Sequence, residues 1–454
     1  MYLSAVNQLL DTVQRFAPKL GDRTKDHLLV ASSFGLACLV IVHGAGWLPF
    51  RFLFYAILGF AFLAVMIVCS LREREKTEVP KVNKGLFYLW MLYGVLQLVS
   101  GIVNGYEYLP DAVLVLIAFP ILQVAWSRLG WEKAFRLTLR GLRYSLYIVL
   151  AASILFYPLD GAQYQSMFTN QNLLSTYLMV CFCGLVVEIF EEQKTKAAVG
   201  LMIAAGITFA IIYYSGSRTG MLSSTVSLFA VTLIMAARKG GEPGRNLAKG
   251  GGILLSMVFF SAVLVYVFKL RTYLPLPYLS ACKPAEDYDL VAEKIAVIGK
   301  EKMTFLGRTL DQITSGRTAI WKVFSTKLNL WGHRTGQSYY VVRTAPNGKL
   351  IEKYYSTAHN FFLQNAYNHG VLCGLVSLAL VIWAEIGSVR YAWKNRKGKY
   401  SCLSLGFVTT FFISALLSSP NVIFWYIDGL YFCFALGQLL LVSQSQRAEP
   451  FSVG

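Results

Sequence analysis

Apolar runs of about 17–25 residues recur along the whole chain, and no other feature limits its fold as much. As a helix, a run of this length spans the hydrocarbon core of a bilayer. Of the 454 residues, 56% are hydrophobic and 15% are charged, whereas soluble proteins average about 25% charged residues. The sequence therefore predicts an all-α polytopic membrane protein.

The apolar runs predict about twelve transmembrane helices, with a large loop between spans nine and ten. The predicted spans are 28–47, 52–71, 86–104, 111–127, 142–158, 173–189, 198–214, 219–237, 251–268, 359–388, 403–419 and 422–442. The chain then divides into an N-terminal segment at 1–27, spans one to nine within 28–268, a polar loop domain at 269–357, spans ten to twelve within 358–442 and a tail at 443–454.

The distribution of basic residues predicts the orientation of these spans. Lys and Arg cluster in every second loop, whereas the loops at 105–110, 159–172 and 420–421 contain neither. Basic loops normally stay in the cytoplasm. We therefore expect both termini in the cytoplasm and the 269–357 loop on the outer face of the cytoplasmic membrane. In 1–27, apolar residues at helical spacing predict an amphipathic helix on the membrane surface, with a frayed tail as the alternative.

Charge and cysteine usage exclude several other classes of protein. The net charge is +18 without any nucleic-acid motif, so we attribute it to topology and to contact with anionic lipid. The eight cysteines contain no Cys-x-x-Cys pair, and only Cys282 falls in the large loop. The sequence therefore predicts neither a zinc site nor a disulfide framework.

Four polar clusters fall on the predicted outer side. They are Phe168–Asn172 before the sixth span, Ser215–Gly220 between spans seven and eight, Ser315–Trp321 in the large loop, and Ser356–Gly370 at the start of the tenth span. Their convergence on one side of the membrane predicts an outward-facing site.

Two of these clusters place an arginine at a helix start. Arg218 begins the eighth span, and Ser315 is a suitable N-cap for a helix that starts near Arg317. Free N–H groups and the helix dipole favour an anion at such a position. A guanidinium adds a permanently charged fork that suits phosphate. Two such arginines predict a site for a diphosphate.

The Ser356–Gly370 cluster combines a histidine with a polar helix face. His359 opens the span, and Asn360, Gln364 and Asn368 recur at every fourth residue. A polar face is costly in lipid, so it should face protein or a wet cavity. A histidine transfers protons near neutral pH. We expect His359 to be a base, with Asn360 and Gln364 lining the path of a sugar.

These residues also have structural interpretations. Arg218 can extend to lipid headgroups, while His359, Asn170 and Asn172 can cap helices. We expect structural roles for His333 and His369. We expect Asp428 to be the buried partner of an arginine.

Four motifs occur in one order along the chain: Asn170-Gln171-Asn172, Ser217-Arg218-Thr219-Gly220, Ser315-Gly316-Arg317 followed by Trp321, and His359-Asn360 with nine residues before Gly370. Together they resemble the O-antigen ligase and polymerase superfamily of bacterial envelope glycosyltransferases. The resemblance covers the chain from before the sixth span to the twelfth by motif, and the whole chain by topology.

The resemblance implies a GT-C-like, inverting transferase that uses no nucleotide sugar, cofactor or metal. The donor would be a glycan on undecaprenyl diphosphate, and the acceptor a hydroxyl of lipid A-core or of another lipid-linked glycan. Arg218, Arg317 and Ser217 would bind the diphosphate, and His359 would orient or deprotonate the acceptor. Asn170, Asn172, Asn360 and Gln364 would line the glycan path. The other partners would be membrane lipids, without nucleic acid.

The choice between ligase and polymerase stays open. The spacing from His359 to Gly370 fits the ligase pattern, but Cys373 departs from it and Gly374 is displaced by one position. A transporter or flippase of lipid-linked sugars is the alternative from another class, although no paired broken helices are evident. A scaffold protein would leave the arginines and His359 unexplained.

Overall fold

The structure is a computed structural model. It describes residues 2–16, 19–46, 52–72, 81–159, 163–237, 242–279, 292–296, 304–305, 308–309, 317–334, 338–344, 350–395, 398–418 and 426–442. Three residues of the sequence analysis lie outside these ranges: Cys282, Ser315 and Gly316.

The described chain is nearly all helical. Its α-helices are α1 (Tyr2–Phe16), α2 (Asp22–Ala45), α3 (Phe52–Ser70), α4 (Lys84–Asn104), α5 (Leu109–Leu129, with a π-helical turn at Leu114–Ala118), α6 (Trp131–Phe156), α7 (Gln171–Glu191), α8 (Thr195–Tyr214), α9 (Arg218–Ala236), α10 (Pro243–Arg271), α11 (Arg317–Thr326), α12 (Phe361–His369), α13 (Val371–Lys394), α14 (Leu403–Leu417) and α15 (Ile427–Leu440). A short 3₁₀ helix at Tyr106–Tyr108 precedes α5.

Nine helices of the described chain are long and apolar enough to cross a membrane. They are α2, α4 to α10 and α13. Three shorter apolar helices lie within α3, α14 and α15. The prediction of a multi-pass helical membrane protein is confirmed. The count of twelve spans stays a prediction, although each predicted span overlaps one of these apolar helices.

The predicted tenth span at 359–388 is wrong in one respect, because two helices meet there at Gly370. Helix α12 begins beside the end of α14, where the Asn360 Nδ2 donates to the Leu416 carbonyl at 3.0 Å. It ends beside the end of α4, where the Ser100 Oγ donates to the Asn368 carbonyl at 3.0 Å. Helix α12 therefore lies across one end of the bundle, and the 24-residue α13 alone is long enough to cross.

Short strands are the departure from the all-α prediction. In the loop domain, β5 (Ser338–Thr344) pairs antiparallel with β6 (Leu350–Tyr355) and parallel with β2 (Ala292–Ala296). Strands β3 (Thr304–Phe305) and β4 (Arg308–Thr309) pair with each other. Strand β1 (Lys81–Val82) pairs with β7 (Leu441–Val442) at the opposite end of the bundle.

Helix α7 is the centre of the bundle. In its most apolar window, 94% of the residues are buried, and it contacts α6, α8, α9, α14 and α15. A helix that is apolar on all sides is expected in such a position. Small residues let its neighbours approach closely: at Gly406 of α14, an added Cβ would lie 2.7 Å from the Cys183 Sγ of α7.

The two ends of the bundle differ in chemistry. We name the end where α7, α9 and α12 begin the site end, and the opposite end the basic end. At the basic end, cations meet anions or carbonyl groups. Arg143 pairs with Glu188 at 2.9 Å, Lys133 pairs with Asp26 at 3.0 Å, and the Lys249 Nζ donates to the Phe190 carbonyl at 3.0 Å.

The N-terminal helix α1 is amphipathic, as predicted, but its apolar face packs against the protein. Leu3, Val6 and Leu10 are buried in the core. At the end of α5, Arg128 pairs with Asp11 at 2.9 Å and donates to Asn7. Helix α5, rather than the membrane surface, therefore covers this face.

A close approach between α2 and α6 gives a test of the packing. A Cβ added at Gly141 would lie 2.6 Å from the Val30 carbonyl oxygen and 2.7 Å from the Phe34 nitrogen. Backbone atoms cannot move aside as a side chain can, so we expect Gly141→Ala to destabilise the protein by about 1–3 kcal/mol. The measurement is the apparent Tm of the purified protein.

Gly200→Ala is the matched control, because a Cβ added at Gly200 meets nothing within 4 Å. Alanine favours a helix over glycine by about 1 kcal/mol, so this variant should melt at the wild-type temperature or slightly above it. Equal Tm values for the two variants would contradict the packing of α2 on α6.

Candidate active site

The N-termini of α7 and α9 lie side by side at the site end. The Asn170 side chain caps α7 by accepting from the Asn172 N–H at 2.7 Å. The Ser217 side chain caps α9 by accepting from the Gly220 N–H at 3.3 Å. A Cβ at Gly220 would lie 1.9 Å from the Ser175 Oγ of α7. Two positive helix ends therefore converge.

Arg218 and Arg317 lie near enough at this place for their charges to interact. Arg218 is the first residue of α9 and is exposed, and Arg317 is the first residue of α11 and is half-buried. Burial and the positive charge of nearby Arg218 lower the pKa of Arg317. The folded chain thus brings together two cations that are 99 positions apart in sequence. Like charges repel, so this arrangement favours an anion between or beside them.

A small hydrophobic core joins the second arginine to the histidine loop. Ile320, Val323 and Phe324 of α11 pack with Tyr367 of α12 and with Ala358, which precedes His359. The Phe324 and Tyr367 rings lie edge to face with centroids 4.9 Å apart. Arg317 and His359 are therefore positioned by the same cluster of side chains.

His359 has an unusual backbone conformation. Its φ of 49° is in the left-handed region, which few non-glycine residues adopt. The Gln364 Oε1 accepts from the Ala358 N–H at 2.7 Å. Asn360 follows as the N-cap of α12, where its side chain accepts from the Leu363 N–H at 2.9 Å. Such a conformation persists only where its surroundings hold it, and it is commonest at functional sites.

The spacing from His359-Asn360 to Gly370 has a structural explanation. Asn360 caps α12, the nine intervening residues form α12, and Gly370 ends it. Gly370 has a φ of 94°, and a Cβ there would lie 1.9 Å from the Leu330 carbonyl oxygen. Gly374 allows α13 to pack on α12, since a Cβ there would lie 2.8 Å from the Phe362 carbonyl oxygen.

A loop segment at residues 329–333 packs against the end of α12, where the chain bends at Gly370. At Gly332 the φ is 84°, and a Cβ would lie 2.1 Å from the Asn368 carbonyl oxygen. The His333 N–H donates to the same carbonyl at 3.2 Å, and the Val371 N–H donates to the Asn329 carbonyl at 3.0 Å. Residues 329–333 and the end of α12 therefore fix each other.

The structure locates the remaining predicted residues as follows. Asn170 and Asn172 are exposed near the Arg218 helix start. Gln364, in contrast, is 3% exposed and also donates to the Asn368 Oδ1 at 2.8 Å. It holds the backbone before His359, and its contact with a glycan stays a prediction. Asn360 is half-buried and tied to Leu416.

The structural roles expected for His333 and His369 agree with the structure. His333 stacks on Tyr367 with ring centroids 4.3 Å apart, and His369 is buried edge-on to Tyr108. For Asp428 the predicted arginine partner is wrong, because its Oδ2 accepts from the Ser414 Oγ at 2.6 Å.

Two polar residues that the sequence analysis did not single out lie beneath α12. They are Gln97 of α4 and Asp111 of α5, and each is 3% exposed. The available signal was the presence of a polar or ionisable side chain in or at the edge of an apolar run.

A comparison with protein families gives a match to one family. Residues 203–379 match the O-antigen ligase family. This match supports membership of the chain in the O-antigen ligase superfamily. The matched segment covers less than half of the chain, and it contains Arg218, Arg317 and His359 but not Asn170. The chain has no match among curated proteins.

Membership in the O-antigen ligase superfamily indicates glycan transfer of the ligase or polymerase type in a membrane. It gives no support to the transporter alternative. Among the described residues, no group of three or more His, Cys, Asp or Glu side chains is arranged to hold a metal ion. Independence from metals and cofactors stays a prediction.

The two adjacent arginines give a test that needs no turnover. We expect pyrophosphate to raise the apparent Tm of the wild-type protein, since an anion relieves the repulsion between Arg218 and Arg317. At 100 times its Kd, a ligand stabilises the folded state by about 2.7 kcal/mol. The rise should disappear in Arg317→Gln and shrink at high salt.

The matched control is Arg334→Gln, which removes an exposed arginine from the same loop domain. This variant should keep the pyrophosphate effect. Equal shifts in Arg317→Gln and the wild type would show that the arginine pair is not the anion site.

Proposed function

We propose that this member of the O-antigen ligase superfamily transfers a glycan from undecaprenyl diphosphate to an acceptor hydroxyl on the outer face of the cytoplasmic membrane. The observation that carries the proposal is the nearness of Arg218 and Arg317 at two helix starts, the second of which shares a small core with the His359 loop. The reaction uses no nucleotide sugar, because the diphosphate on the lipid is already the leaving group.

The arginines act on the leaving group. The bond between the anomeric carbon and the phosphate oxygen breaks, and the electron pair passes to the diphosphate. Two guanidinium groups and the N–H groups of α9 near Ser217 stabilise that charge. Removing a comparable electrostatic contact from other enzymes costs about 10²–10³-fold in kcat. Arg218 and Arg317 are therefore assigned to diphosphate binding, with Ser217 as the cap that shapes the helix start.

His359 acts on the acceptor. The acceptor oxygen forms the new glycosidic bond from the face opposite the leaving group, which inverts the anomeric configuration. Its proton passes to the imidazole of His359, which lies at the site end and can return the proton to water. A positioned base contributes about 10²–10⁴-fold to a rate. Asn170, Asn172, Asn360 and Gln364 are proposed to border the glycan, with Gln364 reaching it only through the loop that it supports.

A reconstituted assay tests the activity. Purified protein is supplied with a glycan on undecaprenyl diphosphate and a candidate acceptor, and the products are resolved by mass spectrometry. We expect Arg218→Ala and Arg317→Ala to lower kcat by about 10²–10³-fold, and His359→Ala to lower it by about 10²–10⁴-fold. Arg218→Lys should recover only part of the rate, since lysine lacks the planar fork.

Arg334→Ala serves as the control in this assay and should turn over at the wild-type rate. Unchanged turnover in Arg218→Ala and His359→Ala would contradict the catalytic roles proposed for these residues. Two acceptors separate the two reactions: a lipid A-core acceptor reports a ligase, and a second lipid-linked repeat unit that is lengthened reports a polymerase.

The orientation has its own test in spheroplasts, with a membrane-impermeant maleimide and a Cys282→Ser background. Ser325→Cys places a thiol on the exposed face of α11, and Glu242→Cys places one at the basic end, where the Glu242 side chain is 74% exposed. From the positive-inside rule we expect the first thiol to react in intact spheroplasts and the second only after permeabilisation. The reverse pattern would place the site in the cytoplasm and overturn the proposed donor.

A further inference from the structure

A cavity of about 30 Å³ lies beneath α12. Helix α12 covers it, and α4, α5, α13, α14 and α15 form its walls. Its size suits a few water molecules and excludes a sugar. Its polar lining is Tyr93, Gln97, Asp111, Gln364, Asn365, Asn368, His369 and Ser377.

Three buried polar atoms of this lining have no hydrogen-bond partner within the described part of the chain. They are the Gln97 Oε1, the Asp111 Oδ1 and the His369 Nδ1. The residues are 3%, 3% and 5% exposed, respectively. An unsatisfied polar atom of this kind costs about 1–3 kcal/mol. Three of them around one cavity therefore point to a bound group.

The three atoms come from three different helices. The Tyr108 ring lies 4.5 Å from the His369 ring, and Asp111 follows Tyr108 by about one helical turn. Gln97 lies one turn before Ser100, which donates to the Asn368 carbonyl next to His369. Helices α4, α5 and α12 thus direct their polar groups to the same place.

The chemistry of the lining defines the bound group. The Gln97 and Asp111 oxygens accept hydrogen bonds, and the His369 nitrogen accepts or donates. No Lys or Arg lines the cavity in the described chain, so no side-chain cation balances the carboxylate of Asp111. The other titratable groups that face the cavity are Tyr93, bonded to the Asn365 Oδ1 at 3.0 Å, and Cys433. A buried, unbalanced carboxylate is very costly.

We propose that this cavity is a proton-binding site in which Asp111 holds a proton and is bonded to His369 through bound water. The proton resides on Asp111 and the imidazole is neutral, because an ion pair at this depth would leave two desolvated charges. Water connects the Asp111 carboxyl to the His369 Nδ1 and to the Gln97 Oε1, which satisfies all three atoms. The site is separate from His359 and exists in the resting protein, whatever reaction the protein performs.

Infrared spectroscopy of the purified protein in nanodiscs tests the site without substrate. At neutral pH we expect the carbonyl stretch of a protonated carboxyl group, which moves in deuterium oxide and is lost in Asp111→Asn. In Asp111→Glu the band should shift in frequency, which keeps the test valid if the asparagine variant fails to fold. In His369→Gln the band should also shift, because its water network loses the imidazole.

Asp428→Asn is the matched control. Asp428 is also buried, but it is bonded to Ser414 and to the Gly429 N–H at 3.0 Å. Its removal should leave the Asp111 band in place. The proposal is overturned if the spectra of the wild type and Asp111→Asn differ only in carboxylate bands at neutral pH. A second experiment replaces Na⁺ and K⁺ in the buffer with a bulky organic cation. The proposal is also overturned if this exchange lowers the Tm of the wild type but not that of Asp111→Asn, since the cavity would then hold a metal cation.

Discussion

The reciprocal contact between Gly332 and Gly370 is the interaction on which the site end depends. Each glycine lies where a Cβ would strike the backbone of the opposing segment, at 2.1 Å from the Asn368 carbonyl oxygen and 1.9 Å from the Leu330 carbonyl oxygen. Two backbone hydrogen bonds close the contact. Because α12 is a short rigid rod, fixing its end also fixes His359 at its start. The same contact holds the loop domain, since His333 stacks on Tyr367 beside the core that seats α11.

The charged residues are arranged differently at the basic end and at the site end. At the basic end, Arg143 and Glu188 form a pair that is largely removed from water. At the site end, Arg218 and Arg317 are close enough for one charge to depress the pKa of the other. This proximity of like charges is unfavourable in itself and favours the proposed binding of an anion. Proteins commonly give up stability in this way where function requires it.

The sequence predicted the features that depend on local signals. Each apolar run overlaps at least one helix, because burial and helix length are set largely within the run itself, although Trp131–Phe156 begins 11 residues before its predicted span and the 359–388 run forms two helices. Asn170 caps a helix, as its side-chain chemistry allowed, and Arg218 begins a helix as predicted. The position of Arg317 at a helix start was also correct, although Ser315 lies outside the described residues.

The features that were missed depend on contacts between distant segments. The run from 359 to 388 is apolar enough to read as one span, and only the contact of Gly370 with Leu330 explains why the chain bends there. Helix α1 was predicted on the membrane surface because its partner, α5, is not recognisable from α1 alone. Gln97 and Asp111 looked like isolated polar residues, since nothing in the sequence shows that α4 and α5 face His369.

Helix α12 contacts both the His359 loop and the cavity, because it lies across the end of the bundle and does not run through it. The sequence required its polar face to meet protein or a wet cavity. The structure directs Gln364 and Asn368 to the cavity, whereas Asn360 is bonded to the Leu416 carbonyl and His359 is half-buried. A chain of polar groups connects the two. Asn368 accepts from Gln364, and Gln364 accepts from the peptide N–H that precedes His359. Asn368 is in turn held through its carbonyl by Ser100 and His333. The proposed water in the cavity would therefore support, through this chain, the backbone that positions His359.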